Sequence, residues 1–162
     1  MKVIKAPEST KDHGSFITVF LAGSIEMGQV ENWQARVERE LGDYSDAFLT
    51  VLNPRRDDFQ ENAVQSIDNP YFNEQVTWEM AGLNAADFIF MYFHPDTKAP
   101  ITMMELGLHA DTGKLIVVCP EGFWRKGNIE MVCDAYSIPL ITSLEEGITE
   151  LRCLIDYEKD FM

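Results

Sequence analysis

Phe16-Ile-Thr-Val-Phe-Leu-Ala22 is a nearly unbroken run of apolar and β-favouring residues, closed by Gly23 and Ser24. A strand with one wet face alternates hydrophobic and polar side chains. A run without that alternation is a strand buried on both faces, the situation of a parallel sheet covered by helices on either side. Working outward, Glu31 to Leu41 places Trp33, Val37 and Leu41 four residues apart, an amphipathic helix with Gly42 as its stop. Phe48 to Leu52 is the second strand, and it runs into Asn53-Pro54 and a polar loop holding Arg55, Arg56, Asp57 and Asp58. Asn69 followed by Pro70 is a helix cap with proline at the first helical position. It opens a helix to about Ala85 that carries Phe72, Val76, Met80 and Leu83 on one face.

The alternation continues with a strand at Phe88 to Phe93, a helix from Pro100 to about Thr112 stopped at Gly113, and a strand at Leu115 to Cys119. A helix near Asn128 to Tyr136, a short strand at Ile138 to Ile141 and a helix from Ser143 complete it. Five strands alternating with helices predict an α/β, three-layer, flavodoxin-like or Rossmann-like domain with a five-stranded parallel sheet, because right-handed crossovers put helices on both faces. Residues 1–15 read as a polar N-terminal lead-in, and residues 16–162 as one domain, with no repeat or Pro/Ser-rich linker dividing them.

Composition narrows the partners. The chain has 162 residues and a formal net charge of −14. That charge repels a phosphate backbone, so a nucleic acid polymer is not the expected partner, and a small molecule is. No apolar run approaches the ~20 residues of a membrane-spanning helix, and the N-terminus lacks the apolar stretch of a secretory signal. Cys119, Cys133 and Cys153 are odd in number and widely spaced, which fits small buried hydrophobes in a reducing cytoplasm. His13, His94 and His109 have no metal-ligand spacing, and no Ser or Cys nucleophile is paired with a histidine in a recognisable motif. No metal or cofactor is expected.

Open parallel sheets bind ligands beyond the carboxyl ends of their strands, where strand order reverses. The loops after the strands therefore matter most: 23–28, 53–58, 94–105 and 120–128. They supply Gly23, Ser24, Arg55, Asp58, Glu105, Trp124 and Asn128, a polar and aromatic set suited to a small cyclic ligand. The loop from Ala22 to Gly28 lacks both GxGxxG and GxxxxGK[ST], so neither a dinucleotide nor an ATP site is supported. Asp87 precedes its strand and belongs at the opposite edge. Glu79, eight residues earlier on the preceding helix, lies about 12 Å back toward the carboxyl edge. Glu105 sits in the second turn of a helix opened by Pro100, where the helix dipole favours an ionised carboxylate. It is the lone charge among Met103, Met104, Leu106 and Gly107.

The ordered set Phe20-Leu-Ala-Gly-Ser24, Asn53-Pro-Arg-Arg-Asp-Asp58, Trp78-Glu79 with Ala86-Asp87, and Pro100-Ile-Thr-Met-Met-Glu-Leu-Gly107 resembles the nucleoside 2-deoxyribosyltransferases from about Phe16 to Ile141. The resemblance implies an enzyme in which Glu105 attacks the anomeric carbon of a 2′-deoxynucleoside, releases the base and passes the deoxyribosyl group to a second base. It places the family's proton-handling acid at Glu79 and its first-strand aromatic at Phe20, where the best-known members carry tyrosine. Asn128, in Gly127-Asn-Ile-Glu130, matches the asparagine lent by a neighbouring subunit, which implies a homo-oligomer. Ala99 and the terminal Phe161-Met162 depart from the pattern seen in relatives.

The implied chemistry resembles a retaining glycosidase, with each displacement passing through an oxocarbenium-like state. A proton must reach the departing base, from Glu79 or Asp58, and Phe20, Phe123 and Trp124 offer stacking surfaces. Two alternatives stand beside transfer. One is an N-glycoside hydrolase acting on a deoxynucleoside 5′-monophosphate held by Arg55 and Arg56. The other is a noncatalytic nucleotide sensor that uses Glu105 to recognise a sugar hydroxyl.

Overall fold

The computed structural model describes residues 1–10, 14–24, 32–58, 60 and 63–161. The loop residues 25–28, His13 and the expected helix start at Glu31 lie outside the described residues. In chain order the elements are β1 (Lys2–Lys5), β2 (Ile17–Gly23), α1 (Trp33–Glu40), β3 (Leu49–Asn53), α2 (Pro70–Ala85), β4 (Phe88–Tyr92), α3 (Pro100–His109), β5 (Leu115–Val118), α4 (Lys126–Ala135), β6 (Leu140–Ile141) and α5 (Leu144–Lys159). Among the described residues the sheet is six-stranded and parallel, in the order β1-β3-β2-β4-β5-β6.

The five expected strands are present and take the order of a flavodoxin-like sheet, with β1 added outside β3. That sixth strand corrects the reading of the N-terminus as a lead-in. Lys2 to Lys5 pair with Thr50 to Asn53. Only Ile4 of the four is buried, at 2% exposure. An edge strand needs so little burial that its sequence carries almost no apolar signal, and its lysines guard the open edge against further pairing. Its ladder partner lies over forty residues away, beyond any local pattern.

Three helices, α1, α2 and α5, begin where a side chain takes up a free amide group. Asn32 accepts from Ala35 N in α1 at 3.2 Å, Asn69 from Tyr71 N in α2 at 3.1 Å, and Ser143 from Glu146 N in α5 at 3.2 Å. The helix expected to reach Thr112 ends at His109, because Thr112 turns back to donate through N and Oγ1 to the His109 carbonyl. Two cores result. Trp78 and Leu83 of α2, Leu106 of α3, and Ile129 and Cys133 of α4 pack on Phe20, Leu52, Ile89, Met91 and Val117. Trp33 and Val37 of α1 and Leu151 and Ile155 of α5 pack on Val19, Leu21, Val51, Phe90 and Val118 across the sheet. Cys119 and Cys133 are buried, whereas Cys153 is exposed on α5. Among the described residues no helix is long and apolar enough to cross a membrane.

The switch in strand order falls between β2 and β4. Beyond their carboxyl ends Gly23, at φ 151°, comes so close to its neighbours that a Cβ would stand 2.5 Å from the Tyr92 carbonyl oxygen and 2.8 Å from the Trp33 ring. A second close approach sets α2 over β2: a Cβ on Gly82 would meet two Phe20 ring carbons at 2.8 Å. Gly82→Ala gains ~1 kcal/mol of helix propensity but overpacks a rigid core, which costs ~1–3 kcal/mol. The expected result is a net loss of about 1 kcal/mol in urea-unfolding free energy, with the Phe20 aromatic resonances displaced.

Candidate active site

α2 and α3 cover the same face of the sheet and both run from its carboxyl edge to its amino edge. Between them lies a cavity of about 970 Å³. Phe20, Gly23 and Ser24 from β2 and its end, Arg55 from the loop after β3, Glu79 from α2 and Glu105 from α3 all line it. The apolar side chains Phe72, Val76 and Met80, expected on one face of α2, border this cavity, while Trp78, Gly82 and Leu83 are the helix's buried residues. Met80, Ile101, Met104 and Leu108 form an exposed apolar rim, each more than half accessible.

Glu105 is placed by an unusual helix start. Ala99 has φ 46° and ψ 48°, the left-handed conformation, although it is neither glycine nor asparagine and precedes proline. Such a residue costs ~1–2 kcal/mol, and strain of this kind collects at functional sites. The Ala99 carbonyl accepts from Met103 N at 3.0 Å, so the strained residue still closes the first turn. One turn on, Glu105 is only 9% exposed and no donor meets its carboxylate among the described residues.

That burial corrects the expectation that the helix dipole keeps Glu105 ionised. Desolvation pushes its carboxyl up to about 8, and the like charge of Glu79 adds to the effect. Glu79 is also raised by burial, but less freely, since Gln75 Nε2 donates to Glu79 Oε1 at 2.8 Å and favours its ionised form. The same Nε2 donates to the Pro54 carbonyl at 2.9 Å, leaving Gln75 Oε1 buried without a partner among the described residues. Two carboxyl groups thus line one cavity, and burial opposes the ionisation of both.

The arginines separate. Arg56 is buried and spent: Nε and Nη2 donate to the two Asp58 oxygens at 2.7 and 2.9 Å, Nη1 to Glu74 at 2.8 Å, and its guanidinium covers the Tyr71 ring at 4.4 Å. Asp58 is therefore occupied by Arg56, and it does not line the cavity. Arg55 does line it, and among the described residues its guanidinium has neither an ion pair nor a hydrogen bond. Ser24 is buried in the wall, its hydroxyl 2.8 Å from Thr97 Oγ1.

Three expected contributors stand elsewhere. Trp124 is half exposed outside the cavity; its Nε1 donates to the Lys98 carbonyl at 3.0 Å, bracing the loops before α3 and α4. Phe123 is core, against Phe93 at 5.1 Å. Asn128 is exposed on α4 and does not line this chain's own cavity. Asp87 is at the amino edge as expected, where it accepts from Thr18 N at 2.8 Å. Gln75 and His109 were passed over in the sequence, yet each is four residues from a carboxylate on one helix face, a spacing that could have found them. Among the described residues no group of three His, Cys, Asp or Glu side chains could hold a metal ion.

The family model described as "Nucleoside 2-deoxyribosyltransferase like" matches residues 17–123. No curated protein matches the sequence. In structure the chain is similar to a conserved protein from Enterococcus faecalis V583, with a TM-score of 0.58 and 10% identity over 84% of this chain and 97% of that one. At that identity the likeness speaks for the flavodoxin-like fold alone.

The raised carboxyl of Glu105 has a consequence for stability. Its value is higher folded than unfolded, so its contribution is fully present below about 4.5 and is lost as pH rises through about 8. Glu105→Gln removes that titration. In urea unfolding at a series of pH values, the variant should gain on the wild type by a few kcal/mol between those limits and gain no more above them.

Proposed function

The chain belongs to the nucleoside 2-deoxyribosyltransferase-like family, and we propose that it moves 2-deoxyribose between nucleobases through an ester of the sugar with Glu105. The observation that carries this reading is the pair Glu79 and Glu105, both lining one largely apolar cavity near the strand-order switch, with burial opposing the ionisation of each. A small-molecule deoxynucleoside is the donor and a free nucleobase the acceptor.

In the first half-reaction the bond from the anomeric carbon to the base nitrogen breaks, its electron pair leaves with the base, and a Glu105 oxygen bonds to the carbon. The departing nitrogen takes the pair's proton. Before charge develops on the sugar that proton rests on Glu105, whose carboxylate meets no donor among the described residues, while Gln75 supports ionised Glu79. Positive charge developing on the sugar reverses the preference, stabilising ionised Glu105 and leaving the proton for Glu79 to deliver. The second base then attacks the ester carbon, the Glu105 oxygen leaves with its electrons, and the incoming nitrogen's proton returns to the pair. Absence of a 2′-hydroxyl eases the oxocarbenium-like state in both directions. An apolar lining keeps water a poor competitor for the ester.

Asn128 enters this scheme only from a neighbouring copy, since on its own chain it stands outside the cavity. One observation favours a second reading, hydrolysis of a deoxynucleoside 5′-monophosphate: the Arg55 guanidinium lines the cavity without an ion pair among the described residues, and it suits a phosphate.

Incubation with thymidine plus adenine, followed by chromatography, should yield deoxyadenosine and thymine. Thymine alone, from dTMP, would favour the hydrolase, and no release from a panel of deoxynucleosides and deoxynucleotides would defeat both. Glu105→Gln should lower turnover on the order of 10³-fold or more. If Asn128 serves a neighbour's site, mixing the inactive Glu105→Gln and Asn128→Ala proteins restores turnover that neither has alone; no recovery refutes the sharing.

A further inference from the structure

Gln75 stands one turn before Glu79 on the same face of α2. Its amide nitrogen makes two bonds, to Glu79 Oε1 at 2.8 Å and to the Pro54 carbonyl at 2.9 Å. A main-chain carbonyl only accepts, so the group that faces it must be the NH2 and not the oxygen of the amide. Pro54 therefore fixes which way round the amide lies. Turned over, the amide oxygen would face the carbonyl oxygen, and repulsion would replace a bond.

The fixed amide dictates the state of the carboxyl beside it. Glu79 Oε1 receives an N–H and has to accept; a proton on that oxygen would point at a donor. Glu79 Oε2 meets no donor among the described residues, and it is not sealed off as Gln75 Oε1 is, so it is the oxygen open to the cavity that Glu79 lines. We infer that Gln75 is a positioning residue that holds Glu79 Oε1 as an acceptor and leaves Oε2 as the one atom that takes up and delivers the proton exchanged with a bound base. The base as the proton's destination rests on the deoxyribosyl-transfer reading; the pinned carboxyl does not.

Packing alone does not account for Gln75. Its Oε1 is buried without a partner among the described residues, and an unmet buried acceptor costs free energy that a methionine of similar shape would avoid. Against that cost the amide makes a bond to an ionised carboxylate, the stronger kind of hydrogen bond. The same bond separates the two acids. Burial raises both Glu79 and Glu105, but Gln75 pulls Glu79 back, and no donor does so for Glu105 among the described residues. The other titratable groups on the cavity are Arg55, Arg56 and Asp57 from the loop after β3, Tyr71 from α2, and Glu105 and His109 from α3; β2 supplies none. Among the described residues none of these hydrogen-bonds to Glu79, which leaves Gln75 as its one fixed partner.

The carboxyl carbon of Glu79 reads this directly by NMR, in full-length protein carrying carbon-13 glutamate and with the resonance assigned by its loss in Glu79→Gln. The titration is run in a Glu105→Gln background, so that Glu79 titrates without its acidic neighbour. Gln75→Met, which keeps the shape and loses the donor, should raise the Glu79 midpoint by about one pH unit or more, a tenfold gain in proton affinity. Gln75→Leu is measured beside it, and urea unfolding of both shows that the titrated proteins are folded. With Glu105 restored, the acid limb of turnover on thymidine plus adenine should move up with the midpoint. A midpoint that stays in place in a folded variant overturns the inference, as does an acid limb that stays while the midpoint moves. The two readings fail separately: deoxyadenosine formation with an unmoved Glu79 midpoint sinks the positioning role alone, whereas a moved midpoint in a wild-type protein that releases no base sinks the transfer reading and leaves the pinned carboxyl standing.

Discussion

β2 and β4 pair in register from Val19 opposite Phe88 to Gly23 opposite Tyr92, although a strand and two helices separate them in the chain. Everything else depends on that pairing. It makes the order of strands reverse between them: α1 leads outward from β2 to β3 on one face, whereas α2, crossing over β2, and α3, leaving β4 for β5, both advance the opposite way on the other face. The cavity lies between α2 and α3 on that face, beside the carboxyl end of β2. The register is tight because Gly23 has no side chain: a Cβ there would meet the Tyr92 carbonyl and the Trp33 ring.

The cavity's contents oppose stability. Ala99 is in a left-handed conformation, Glu105 and Glu79 are acids whose ionisation burial opposes, and Gln75 Oε1 is buried without a partner among the described residues. Each costs on the order of a kilocalorie or more. The two cores on either side of the sheet offset that cost, since full burial of one Leu, Ile or Phe is worth ~1.5–3 kcal/mol. The chemistry follows from the same arrangement. Among the described residues Glu105 has no donor and Glu79 has one, so ionisation is better supported at Glu79 than at Glu105.

Much of this was legible in the sequence, and for identifiable reasons. β2, β4 and β5 are buried on both faces, so their apolar runs are unmistakable, and the caps at Asn69 and Ser143 mark helix starts by chemistry that acts within three residues. The rule that ligands gather at the carboxyl edge brought out Glu105, Glu79 and Arg55 and set aside Asp87. The same rule over-counted: Asp58 and Trp124 lie in the right loops, but Arg56 and the Lys98 carbonyl claim them.

What the sequence determined alone was local or periodic: which segments are helices and strands, the parallel character of the sheet, and the edge at which its chemistry collects. Only the tertiary structure decided that Lys2 to Lys5 is a strand, because an edge partner is chosen by a ladder over forty residues away. Only it decided that Glu105 holds its proton to about 8, against the helix dipole it was expected to obey. A dipole is a property of one helix, whereas desolvation depends on every element packed around the carboxylate, and here the packing outweighs it.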